Sequence, residues 1–246
     1  MALKASPEHQ ALLLDLQALD TKLAQLDHRA RSLPELATLG GLATEVDVLR
    51  RARLEQQGLV ENVQIELSRV ETDVQVVETR ITRDSERLQA SSSVKDVAAL
   101  EQELAALRKR LDDLEEIELS VMEKLDEHQH ALNATLAQLD DALARQSSVE
   151  ADRDAALAAI EAERTTAAAG RRTIEGKVPA DLMALYEKQR ARYGTGASLL
   201  RGGISLASGV KLLEDELAKI RSAAPDDVLI CPSSDAILVR TDESGL

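Results

Sequence analysis

Four residues near the C-terminal end of the sequence have the spacing of the ligands of a zinc site. Ser205 and Ser208 form one pair, and Cys231 and Ser234 form a second pair after a gap of 22 residues. Structural zinc sites are built from two such short pairs, whose side chains meet at the corners of a tetrahedron. Only one of the four positions holds a thiol, and a serine hydroxyl, which is not ionised at neutral pH, is a poor zinc ligand. We therefore predict that the frame of a metal site is kept here without a bound metal or other cofactor.

Basic and aromatic side chains precede this region. A ring beside arginines can stack on a nucleotide base, so these side chains are candidate contacts for nucleic acid or another partner. The alternatives are that the basic side chains pair with nearby carboxylates and that Tyr186 packs between a short helix and the C-terminal domain. The candidate contacts are Tyr186, Lys188, Arg190, Arg192, Tyr193 and Arg201.

No combination of residues indicates catalysis. The serines lack a paired base that would activate them as nucleophiles. The Gly194-Thr195-Gly196 segment follows no predicted strand and lacks the lysine that a phosphate-binding loop needs. We predict that the protein is not an enzyme.

The elements that must position these residues are mostly helices. The 246 residues include no Phe, no Trp and only two Tyr, so the aromatic side chains that fill most globular cores are scarce. Apolar residues instead recur at alternating spacings of three and four, as expected for a coiled coil. Examples are Leu12, Leu16, Leu19, Leu23 and Leu26, then Val60, Val63, Leu67, Val70 and Val74, and later Leu100, Leu104, Leu107, Leu111 and Leu114.

The heptads predict a helical hairpin that folds back on itself. Residues 90–93, which include three serines, separate two arms of similar length, roughly 8–89 and 94–175. If opposed residues have numbers that sum to 185, apolar positions of the two arms coincide, and Val46, for example, faces Leu139. The same register brings Gln56 near His128. Pro34 and the Gly40-Gly41 pair predict a kink or short loop at 32–41, which divides the first arm into two helices.

A different sequence pattern begins near Pro179. Residues 180–192 predict a short helix, five glycines between 194 and 209 indicate loops, and 228–230 with 236–239 predict a β-hairpin. The predicted fold is mainly α, with a long antiparallel coiled-coil hairpin at 1–177 and a small α+β domain at 178–246.

This order of elements resembles the bacterial C4-type zinc-ribbon coiled-coil protein family. The segments that bear the resemblance are Leu13–Asp20, Ser93–Asp96, Leu185-Tyr186 and Ile237–Arg240. The resemblance implies a zinc-ribbon-like C-terminal domain, whose four zinc-binding cysteines fall on Ser205, Ser208, Cys231 and Ser234, so three of the four are replaced. It also implies adaptor roles, in which family members contact sigma factors, secretion or flagellar proteins, and in some cases RNA.

Charge and composition restrict the classes of partner and the compartment that the sequence predicts. The net charge of −14 disfavours broad electrostatic binding of nucleic acid, although residues 180–246 are nearly neutral. A single cysteine, no apolar run of ~18 residues and no signal peptide predict a cytoplasmic protein without membrane attachment. We predict an adaptor that binds protein partners through the hairpin, as a monomer or homodimer. The alternative is an RNA- or DNA-binding protein that acts through the C-terminal domain.

Overall fold

The computed structural model describes residues 3–245, and within them the fold is mainly helical, as predicted. A helical hairpin is followed by a small domain that contains strands. The helices are α1 (Pro7–Arg31), α2 (Pro34–Ala90), α3 (Val94–Glu175), α4 (Ala180–Tyr193) and α5 (Glu214–Ser222), with a final 3-10 turn at Asp242–Ser244. The strands are β1 (Ala197–Arg201), β2 (Ile204–Ser205), β3 (Val210–Lys211), β4 (Leu229–Ile230) and β5 (Ile237–Val239).

The break in the first arm is shorter than the predicted 32–41. Helix α1 ends at Arg31, the Ser32 amide donates a hydrogen bond to the His28 carbonyl at 3.0 Å, and Pro34 begins α2. Proline is favourable at a first helical position, where its missing N–H has no partner to lose. Gly40 and Gly41 continue the helix, since each glycine costs only about 1 kcal/mol in a long helix.

By packing, the chain divides into two compact units. Unit 2 comprises Glu35–Ala151, which is most of α2 and the first part of α3. Residues 91–93 connect the two helices, and the Ser93 hydroxyl accepts a weak hydrogen bond from the Asp96 amide at 3.5 Å at the start of α3. Val46, Leu139 and Ala142 form one buried cluster, which places Val46 beside Leu139.

Unit 1 comprises Met1–Pro34 and Asp152–Leu246. In its described part the five strands form a sheet of order β3-β2-β1-β5-β4, in which β1 and β5 are parallel and the other neighbours antiparallel. The fully buried Leu13 and Leu16 of α1 share a core with Leu182, Tyr186 and Val239. The C-terminal elements therefore pack with the first helix of the chain. The division predicted at 177/178 follows the change of sequence pattern and stays a prediction.

Candidate functional site

Three of the four zinc-like positions come together in unit 1. Ser205 and Cys231 are completely buried, and Ser234 has a buried hydroxyl. Burial raises the pKa of the Cys231 thiol. The hydroxyls of Ser205 and Ser234 and the amides of Ser233 and Ser234 lower that pKa by more, so its net shift is downward. The contact of the Ser234 hydroxyl with the sulfur lies outside ordinary hydrogen-bond geometry.

The fourth position, Ser208, lies in its own turn. Its hydroxyl accepts a hydrogen bond from the Val210 amide at 3.3 Å, and the residue is half-buried. The donor set is thus one thiol and three neutral hydroxyls, and residues 3–245 contain no cluster of three His, Cys, Asp or Glu side chains that could bind a metal. These donors do not fit the thiolate and imidazole ligands that structural zinc requires.

Apolar packing surrounds the thiol. Cys231 belongs to a buried cluster with five aliphatic side chains from β1, β5, α5 and the segment before α5. Such a cluster stabilises a small domain in the way that a structural metal otherwise does. Its other members are Leu200, Leu212, Leu217, Ile220 and Leu238.

The aromatic residue that the sequence suggested for base stacking is internal. Tyr186 is completely buried, its hydroxyl donates to Asp20 Oδ2 at 2.7 Å, and the Gln17 side-chain oxygen lies 3.3 Å from that hydroxyl. Burial, together with this hydrogen bond to Asp20, raises the pKa of Tyr186. Gly196 lies against the ring so closely that a Cβ there would meet its Cδ2 at 2.6 Å. Tyr186 therefore has no open face for a nucleotide base.

An ion-pair network surrounds Asp20. Arg171 donates to Asp20 Oδ1 at 2.7 Å and also contacts Glu187, while Arg190 lies 3.3 Å from the same Asp20 oxygen. Burial lowers the pKa of Arg171. Its hydrogen bonds to Asp20 and Glu187 raise that pKa by more, so the net shift is upward. The network joins α1, the end of α3 and α4. Sequence reasoning missed it, because only the placement of α1 beside α4 turns Asp20 from a solvated heptad residue into a buried anion.

The candidate contact residues separate into two groups. Arg190 pairs with Asp20 and Glu187, and Arg201 pairs with Glu243, so both neutralise carboxylates of the same unit. Lys188, Arg192 and Tyr193 are exposed, and the Arg192 guanidinium lies 5.2 Å from the centroid of the Tyr193 ring.

Unit 2 offers a surface of another kind. Large apolar side chains of α2 and α3 lie exposed, including Leu54 at 59%, Ile65 at 54% and Leu119 at 63% of their maximal accessible area. In α2 no apolar residue is buried between Val46 and Val60, and in the described chain the buried Arg53 Nε and Gln56 Oε1 have no hydrogen-bond partner. This part of α2 has buried polar atoms and leaves large apolar side chains such as Leu54 exposed.

Comparisons with known proteins agree with this architecture. The chain belongs to the family described as the CT398-like coiled coil hairpin domain, which matches residues 16–194. It is 32% identical over 241 residues to the uncharacterized protein Rv2229c of Mycobacterium tuberculosis (strain ATCC 25618 / H37Rv), covering 98% of each. It is 26% identical over 233 residues to the uncharacterized protein ML1638 of Mycobacterium leprae (strain TN), covering 90% of this chain and 96% of that protein.

Solved structures show the same fold. A protein from Mycobacterium smegmatis superposes with a TM-score of 0.84 at 31% identity, over 97% of this chain and 100% of that one. CT398 from Chlamydia trachomatis gives a TM-score of 0.62 at 17% identity, over 95% and 98% of the two chains. At that identity the likeness concerns the fold alone. None of the helices between residues 3 and 245 has an apolar stretch long enough to cross a bilayer.

Proposed function

We propose that the protein is a non-enzymatic coiled-coil adaptor that binds a protein partner through helices α2 and α3 of unit 2. The observation that supports this most directly is the exposure of large apolar side chains such as Leu54, Ile65 and Leu119. A hairpin buries its own seam, as Val46 does beside Leu139, so apolar side chains outside the seam do not stabilise the hairpin itself. Burying them against a partner would contribute about 25 cal/mol for each Å² of apolar area removed from water.

A second candidate function is binding of RNA or DNA through the C-terminal part of the chain. It is favoured by one observation, the exposed pair of Arg192 and Tyr193 with Lys188 nearby in sequence. The engagement of Arg190 and Arg201 in ion pairs leaves fewer free cations for phosphates. Affinity through such contacts would fall steeply with salt, because each phosphate contact releases condensed counterions.

The experiment that tests the adaptor is a pull-down from native cell lysate with the full chain as bait. A truncation after Gly176 is a poor bait, because it would expose Leu13 and Leu16 of α1 to solvent. Substitutions in the intact chain avoid this. The hairpin variant combines Leu54→Ser with Ile65→Ser, and the matched control combines Leu206→Ser with Leu213→Ser, which are also exposed.

The pull-down is washed at low and high salt, and the proteins and nucleic acids retained are identified. A protein kept by the wild type and the control at high salt, but lost by the hairpin variant, supports the adaptor. Nucleic acid that is released by salt, and lost when Lys188, Arg192 and Tyr193 are all changed to alanine, supports the second function. A set of captured molecules that no hairpin substitution alters would refute the adaptor proposal.

A further inference from the structure

We propose that the partner of unit 2 docks a cationic amphipathic α-helix onto a surface that is both acidic and apolar. This deepens the proposed function and rests on it. The apolar part of this surface lies on α2, and its charge comes from what is here called the acidic segment, residues 55–78 of α2 and 112–127 of α3.

The acidic segment contains nearly all of the net charge of the chain. It has fourteen Asp and Glu against two basic side chains, Arg69 and Lys124, so its net charge is −12. The whole chain has a net charge of −14, which leaves −2 for all other residues. The fourteen acidic residues are Glu55, Glu61, Glu66, Glu71, Asp73, Glu78, Asp112, Asp113, Glu115, Glu116, Glu118, Glu123, Asp126 and Glu127.

The two stretches lie at the same level of unit 2. Val46 packs in one cluster with Leu139, and near the other end of the unit Arg83 interacts electrostatically with Glu103. Both pairs have residue numbers that sum to nearly the same value, so one register applies along the hairpin. That register places 112–127 opposite roughly 58–73, and the two acidic stretches therefore run side by side.

These carboxylates have not been neutralised within the chain. In the described residues none of the fourteen lies within ion-pair distance of a lysine or arginine; Asp126 lies 3.4 Å from His130 Nε2, which is charged only when protonated. By contrast, the carboxylates of unit 1 make pairs such as Asp20 with Arg171. An unpaired field of one sign attracts a partner of the opposite sign and speeds its association.

The apolar side chains of the surface have helical spacing. Leu54, at its edge, and Ile65 and Val76 within it follow one another at intervals of eleven residues and are 59%, 54% and 53% exposed. Eleven residues make slightly more than three full turns, so the three side chains lie on one side of α2, each about 16.5 Å from the next. On α3 the exposed Leu119 lies two residues before the buried Val121, so it faces away from α2 and is not part of this stripe. A helix that lies along such a stripe presents apolar side chains at matching intervals.

The charge also argues against other occupants. A second copy of this chain would oppose its own acidic segment with an equal negative charge, and a nucleic acid would be repelled in the same way. A helix with an apolar face flanked by lysines and arginines satisfies both the stripe and the carboxylates. The chemistry therefore favours a cationic amphipathic helix over a second copy or a nucleic acid.

The test measures binding of a fluorescent synthetic peptide to the full chain by anisotropy. The probe is a peptide of about 22 residues with leucines at helical three- and four-residue spacing and lysines between them. A peptide of the same composition with the leucines scattered around the helix is the control for amphipathicity. We expect the amphipathic peptide to bind at least about tenfold more tightly than the scattered one.

Substitutions in the protein locate the binding surface. Glu61→Gln, Glu66→Gln and Glu71→Gln together should weaken binding about tenfold. Glu101→Gln, Asp140→Asn and Asp152→Asn remove the same charge from exposed positions outside the acidic segment and should change it less than about twofold. Leu54→Ser with Ile65→Ser should weaken binding, whereas Leu206→Ser with Leu213→Ser should not. Far-UV circular dichroism checks that each variant keeps its helices.

Equal binding of the two peptides, or equal effects of the two charge triples, would overturn this inference. Self-association of the chain that is abolished by Leu54→Ser with Ile65→Ser would also overturn it, in favour of a second copy as occupant. The outcomes separate this inference from the proposed function. If a captured protein depends on the hairpin but not on the acidic segment, the adaptor stands and the cationic helix does not. If no captured protein depends on the hairpin, the adaptor itself fails.

Discussion

The Tyr186 hydroxyl donates a hydrogen bond of 2.7 Å to Asp20, and this contact joins two helices that are more than 160 residues apart in the chain. Asp20 lies on α1 and Tyr186 on α4, and both side chains are buried. The same carboxylate accepts from Arg171, near the end of α3. One buried anion thus holds three helices of unit 1 together.

Removing the charge of Asp20 should destabilise unit 1. We expect Asp20→Asn to lower the free energy of unfolding by about 2 kcal/mol, because Arg171 and Arg190 lose a buried counter-charge. Urea unfolding followed by tyrosine fluorescence measures this, since both tyrosines belong to unit 1. The control is Asp27→Asn, a substitution on the same helix as Asp20. It removes an exposed ion pair with Arg164 of α3 and should cost at most about 0.5 kcal/mol. Equal losses in the two variants would contradict a special role for Asp20.

A methyl group at residue 196 should be damaging. In Gly196→Ala the new Cβ would overlap the Tyr186 ring, which is fixed on its other sides, so we expect a loss of about 3 kcal/mol or more. Gly170→Ala is the matched control in the same unit, because its Cβ would make ordinary contact with Leu19 at 3.6 Å. That control should stabilise the helix by about 0.5 to 1 kcal/mol. The urea midpoints of the two variants are compared with that of the wild type. Equal midpoints for Gly196→Ala and Gly170→Ala would contradict the prediction.

Local pattern predicted the helices well, and long-range packing explains what it missed. Heptad spacing and the polar residues near Ser93 indicated the two long helices and the connection between them, since both signals lie within a few residues. The continuation of α2 through Gly40 and Gly41 was missed, because a long helix tolerates a local cost of this size. The core that Leu13 of α1 shares with Val239 was not specified residue by residue, because no periodic signal links residues so far apart.

The candidate site was predictable to a similar degree. Spacing indicated that Ser205, Ser208, Cys231 and Ser234 would come together. The hydroxyls of Ser205 and Ser234 lie at the Cys231 sulfur, whereas the Ser208 hydroxyl accepts a hydrogen bond from the Val210 amide. For Tyr186 the sequence left base stacking and packing open, and its burial against Gly196 depends on the placement of α1. Ile65 lies outside the heptad positions Val60, Val63 and Leu67, in agreement with its exposure, but the heptad pattern does not show what would cover it.

The alkaline stability of the protein should depend on Tyr186. The pKa of Tyr186 is raised in the folded state, so the neutral form is favoured there, and the stabilisation is complete below the unfolded tyrosine pKa of about 10. It is lost as the pH rises above that value, because the unfolded chain releases its proton first. We expect thermal stability to fall between about pH 9 and 11, and to fall less in Tyr186→Phe. Tyr193→Phe is the control and should keep the wild-type fall; identical pH profiles for all three proteins would argue against this assignment.

The C-terminal domain should fold without zinc and should gain a zinc site when its missing thiols are supplied. Ser205 and Ser234 already adjoin the Cys231 sulfur, so the variant Ser205→Cys, Ser208→Cys, Ser234→Cys places four thiols at ligand spacing. We expect elemental analysis to find well under one zinc per chain in the wild type and about one in this variant. A chelator should lower the melting temperature of the variant only, because metal binding contributes folding free energy there. Adding Cys231→Ser to the variant should remove most of its zinc affinity. About one zinc per wild-type chain, lost on chelation together with stability, would show that the metal-free interpretation is wrong.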